Sequence, residues 1–259
     1  MISLAYESFI NGICIDIANE SINIESIKKT INSIIEKLIS LIKAFKDKIT
    51  KFINNLFKTS TSESNEDKPK ENAKEPKPKS YTLANYKSLA YLECCNDMLD
   101  DIKSRITSIS IMNDYMNASV QASLIKKMMQ SVQSNSFSNG IWSKEVNDKF
   151  NFCYTHTDNM YIDNSELKDI LNKKAKSFTN KANLYCLGLK RDINQRIDKV
   201  MKDETQRHKR VELMAYTSKM VEDTSSLIQL IIAKVTVEIK SITKMNVTDI
   251  TGYDEYKPL

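Results

Sequence analysis

Only four of the 259 residues are glycine, and four are proline. The usual glycine share is about 7%. Dinucleotide-binding units, phosphate loops, barrels and β-sandwiches all need glycine where the chain turns tightly or approaches a ligand closely. A chain this poor in glycine cannot supply those turns, while its 41% hydrophobic content is enough for a core. The fold class that remains is all-α, built from long helices with few tight turns.

The strongest pattern lies at about 24–57. Ile24, Ile27, Ile31, Ile34, Leu38, Leu41, Phe45, Ile49, Phe52 and Leu56 recur three and four residues apart, which puts them on one face of a helix. Ile35, Ile39, Ile42 and Ile53 widen that face beyond a narrow coiled-coil seam. Lys28, Lys29, Lys37, Lys43, Lys46, Lys48 and Lys51 fall opposite. Residues 22–58 carry eight lysines against Glu25, Glu36 and Asp47, so much of the chain's formal +5 charge is concentrated here. Before this segment, Ile2, Tyr6, Phe9, Ile10, Ile13 and Ile17 predict a shorter helix over about 2–20. Together these form an N-terminal amphipathic arm, residues 1–58.

Residues 59–80, TSTSESNEDKPKENAKEPKPKS, hold three of the four prolines and no large apolar side chain. Such a segment cannot bury enough surface to offset its ordering entropy. A flexible Lys/Glu/Pro linker is expected over 59–81, with a separate body at 82–259.

Helical periodicity resumes over 83–133 through Leu92, Cys95, Leu99, Ile102, Ile106 and Ile109, continuing to Val132. Asn113 occupies one slot of that stripe. Unbroken, this helix would be about 75 Å long. SNSFSNG (134–140) interrupts the pattern, and 141–163 reads as a short helix followed by an aromatic connector. Asn164–Ser165 opens another helix, with Gly188 marking an end or a kink. Periodicity returns over about 190–246 around a polar stretch, KDETQRHKR (202–210). The body is expected to be an elongated, coiled-coil-like bundle of three to five helices.

Few residues suggest chemistry. His156 lies near Cys153 and Asp158, but no nucleophile signature surrounds them, and two histidines cannot build a multi-histidine metal site. His208 sits in the basic run QRHKR, a candidate phosphate contact. Asp203, Glu204 and Glu212 are placed to pair with that run along a helix, and a solvated face explains it more simply. Asp97, Asp100 and Asp101 read as the exposed side of their helix, and the methionines as gap-filling core residues. No catalytic residue, metal ligand or cofactor is expected, and no small-molecule substrate.

The five cysteines, 14, 94, 95, 153 and 186, are odd in number and form no CxxC pair. Reduced thiols are therefore expected rather than a disulfide framework. The first residues lack the basic start of a secretory signal, and no run of 18 apolar residues predicts a membrane span. The expected location is a virion or a host cytoplasm.

The arm MISLAYESFINGICIDIANE, the Ile/Lys segment IKKTINSIIEKLISLIKAFKDKITKFINNLFK, the linker and the helical body together resemble small virion internal or structural proteins of large tailed phages of low-GC Gram-positive bacteria. The resemblance covers mainly residues 1–80 and lies in layout and composition. It implies a multi-copy, non-enzymatic, particle-associated protein, and no functional residue carries over from it.

Three functions follow as expectations. In the first, a structural or interaction protein associates with itself or with protein partners through a docking face of Ile31, Ile34, Leu38, Leu41, Phe45, Ile49 and Phe52. In the second, the same helix lies on an anionic membrane, with Lys43, Lys46 and Lys51 at the lipid surface. In the third, the chain is a packaged nucleic-acid-binding protein.

Overall fold

A computed structural model describes residues 24–57, 81–106, 115–137, 140–155, 159–202, 210–243 and 247–248. The fold is all-α. Among the described residues the helices are α1 (Ile24–Leu56), α2 (Tyr86–Ile106), α3 (Tyr115–Ser134), α4 (Lys144–Thr155), α5 (Asn164–Lys202) and α6 (Arg210–Thr243). Three short strands accompany them: β1 (Tyr81–Asn85), β2 (Asn159–Asp163) and β3 (Val247–Thr248). The expected helix at 2–20, the linker at 59–80, Asn113, His156 and the polar run 203–209 with His208 lie outside the described residues.

The strands were not legible as such, and they form one antiparallel sheet in the order β2-β1-β3. Its register pairs Tyr81 with Asp163 and Asn85 with Asn159, while Thr82 pairs with Val247. Residues 83–85, read as the start of a long helix, are strand. Where one run of periodicity spanned 83–133, α2 and α3 are described, and 107–114 between them are not. Gly188 neither ends nor breaks α5, which runs through it to Lys202.

Helix starts follow local chemistry. Asp163 closes β2 and caps α5, its Oδ1 accepting from the N–H of Ser165 (2.8 Å) and of Glu166 (3.2 Å). These are two of the four donors that a helix N-terminus leaves unpaired. Ser143 caps α4, with its Oγ accepting from the Val146 N–H at 3.3 Å.

The chain divides into two compact units. The first comprises Met1–Leu41, Ile102–Ser136 and Asn183–Leu230. Its core takes Ile31, Ile35 and Leu38 from α1, Ile125 and Met128 from α3, Ile193 and Ile197 from α5, and Val221 and Leu227 from α6. The second comprises Ile42–Asp101, Phe137–Ala182 and Ile231–Leu259. Its core takes Ile42, Phe45 and Ile53 from α1, Leu92, Met98 and Leu99 from α2, and Trp142 with Phe150 from the α4 region. Phe178 from α5 and Ile239 from α6 complete it.

Candidate interaction surfaces

The face assigned to docking is part of the chain's own interior. Ile31, Leu38, Phe45 and Ile49 are buried, Ile34 and Phe52 are half-buried, and Leu41 is exposed. In the first unit α1 is tied to α5 by an ion pair between Glu36 and Lys190. In the second, Phe45 meets Phe178 of α5 edge to face, ring centroids 5.9 Å apart, a favoured aromatic geometry. Each large apolar side chain buried this way contributes about 1.5–3 kcal/mol. The stripe was legible because its 3.6-residue period runs the length of α1; that Phe178 of α5 meets it at Phe45 was not, since nothing local to 24–57 encodes the partner.

The opposite face of α1 points outward. Lys43, Lys46 and Lys51 are exposed, with Lys48 and Asp47 beside them. Within the second unit they present a short, predominantly basic surface.

Of the α2 acids expected on an exposed side, Asp100 is exposed, Asp97 is half-buried and Asp101 is buried, and each is engaged by another segment. Asp97 binds Lys149 of α4 at 2.7 Å, and Asp100 binds Lys181 of α5 at 2.6 Å. Asp101 is buried and accepts from the Ser143 N–H at 2.7 Å through Oδ2. Hydrogen bonds that the Lys149 ammonium donates, the one to Asp97 foremost, raise its pKa above the usual lysine range. These carboxylates hold helices together.

The described thiols are equally structural. Cys94, Cys95, Cys153 and Cys186 are all free and buried. Burial pushes the Cys153 thiol up to about 11 and Cys186 up to about 12. Cys94 and Cys95 are driven well above the ordinary thiol range, again first by burial. A nucleophilic cysteine needs the opposite, an exposed and electropositive setting that favours thiolate. Among the described residues no group of His, Cys, Asp and Glu is placed to hold a metal ion.

In the first unit, α6 buries Thr217, Ser218, Lys219, Asp223, Thr224 and Ser225, a polar stretch that periodicity alone did not reveal. Arg196 Nε donates to Thr217 Oγ1 at 3.2 Å, and Lys219 binds Asp223 at 2.8 Å. Burial opposes charge on Lys219, but the hydrogen bond and attraction of Asp223 outweigh it and hold the ammonium above the lysine range. Buried charges persist when they are paired in this way.

No described helix is long and apolar enough to cross a membrane. No protein-family model, curated protein or solved structure matches this chain.

Proposed function

We propose that this chain is a non-enzymatic structural or interaction protein associated with a phage particle. The particle assignment rests on the layout resemblance of residues 1–80. The observation that carries the structural role is α1: its apolar stripe packs into the chain's own core while Lys43, Lys46 and Lys51 stay outside. The carboxylates of α2 tying α4 and α5, and the buried thiols, support the same reading, because groups that could do chemistry are engaged in holding helices.

The contact surface we assign to α1 is therefore its lysine face. Docking through Ile31, Leu38, Phe45 and Ile49 would first require the stripe to leave the core, at about 1.5–3 kcal/mol for each side chain re-exposed. Quantitative mass spectrometry of purified, salt-washed particles tests the proposal. Several copies retained per particle support it, and complete absence overturns it.

The exposed lysines favour one further reading, a peripheral membrane protein held by charge, at about 1 kcal/mol per lysine near an anionic surface. Flotation of the full chain with anionic but not neutral vesicles, lost in a Lys43→Glu, Lys46→Glu, Lys51→Glu variant, would put that reading first. Nucleic-acid binding that weakens steeply with salt and disappears in the same variant would favour a packaged nucleic-acid-binding protein instead.

A further inference from the structure

In the second unit, a groove of about 270 Å³ lies between α2, β2 and the first turns of α5. That is smaller than the roughly 300–1,000 Å³ of small-molecule sites, and it suits one long side chain. Of its apolar lining, Leu89 and Ile162 are buried and Ile170 is half-buried. Its charged groups are Glu93, Glu166 and Lys174. Lys174 lies 3.4 Å from Glu93, while Glu166 is exposed and pairs with no described cation. The groove thus joins apolar surface to a net negative charge.

The same unit carries the opposite charge on α1. Lys43, Lys46, Lys48 and Lys51 are exposed, and none pairs with a described carboxylate. A lysine side chain has two parts, a methylene stem that lies along apolar surface and an ammonium that stays at the rim. It therefore matches both parts of the groove. Among the described residues no ion pair joins these lysines to Glu93 or Glu166 within the chain. Two complementary surfaces are thus left for another molecule.

We propose that the groove receives a lysine from the Lys43, Lys46 and Lys51 row of a second copy of this chain, its methylenes over Leu89 and Ile162 and its ammonium beside Glu166. A phosphate backbone or a lipid headgroup would neutralise the lysines but leave the groove empty, whereas a second copy satisfies both surfaces at once. The two surfaces differ, so the contact is head to tail. Each added copy leaves one lysine row and one groove unfilled at the ends, and assembly continues beyond the dimer. The inference rests on the interaction role proposed above and gives its lysine face a partner.

Sedimentation velocity of the full chain over a range of concentrations, at low and high salt, tests it. The average mass is expected to rise past that of a dimer at low salt and to fall towards the monomer at high salt, where the charges are screened. Glu166→Lys, and separately the Lys43→Glu, Lys46→Glu, Lys51→Glu variant, should each weaken association at least about tenfold, with the thermal melt unchanged. The first variant keeps its lysine row and the second keeps its groove, so an equal mixture of the two should form a one-to-one dimer and nothing larger. A wild-type chain that stays monomeric, or association that stops at the dimer, overturns the inference. So does association that survives Glu166→Lys, or a mixture that forms no dimer. Particle association is read separately by mass spectrometry, so a chain that fails to self-associate overturns the groove assignment alone.

Discussion

Asp101 accepts a hydrogen bond from the backbone N–H of Ser143 at 2.7 Å, and it does so while buried. One carboxylate on α2 thus fixes the residue that caps α4, whose own Oγ accepts from Val146. The link ties the start of a short helix to α2, just beyond the turn in which Gly140 takes a φ of 90°. Replacing Asp101 by alanine leaves that amide without its acceptor. The expected loss is about 1.5–3 kcal/mol, the range for hydrogen bonds to charged groups, read as a lower urea midpoint with unchanged slope.

Phe45 and Phe178 join α1 to α5 within the second unit. Phe45→Ala removes an aromatic core side chain and should cost about 3–5 kcal/mol. Lys46→Ala, one residue away on the exposed face, should change stability by less than about 0.5 kcal/mol. Equilibrium denaturation of the two variants separates a packed helix from a detached arm.

The buried thiols predict an alkaline limit to stability. Cys153 and Cys186 titrate at about 11 and about 12 in the folded chain, against 9.0 for an ordinary thiol. The folded state therefore holds these protons after the unfolded state has released them. Stability contributed by the neutral thiols is complete below pH 9 and declines as pH rises from there through the folded values. The slope approaches about 1.4 kcal/mol per pH unit for each thiol. Denaturation midpoints measured between pH 8 and pH 11 should fall accordingly. Alkylating reagent at pH 8 should label these four cysteines only when denaturant is present.

Gly188 sits inside α5, and a methyl group added there would meet nothing within 4 Å. Gly188→Ala should therefore stabilise the chain by about 0.5–1 kcal/mol through helix propensity and reduced freedom of the unfolded state. A raised melting temperature is the expected result.

These residues also mark what the sequence could reveal. The Ile stripe of α1 and the apolar run Ile228, Ile232, Val235, Ile239 and Ile242 of α6 were readable, because burial on one face imposes a period that the unaided chain displays. Strands of five residues such as YTLAN and NMYID give too few alternations for a period to emerge, and their pairing joins positions about 80 apart. Asp101 looked like a surface acid, because only a distant segment, at Ser143, makes it an interior one. Gly188 misled because glycine weakens a helix without ending it when packing on both sides holds the chain.

The most direct measurement is amide hydrogen exchange along α1. A helix whose stripe is core predicts that the amides from Ile31 to Ile53 exchange as slowly as those of Leu167 to Ile197 in α5, with the lysine-bearing face no less protected than the apolar one. Exchange of the whole 24–56 segment within seconds, as from an isolated helix, would contradict it and return the apolar stripe to the role of a docking face.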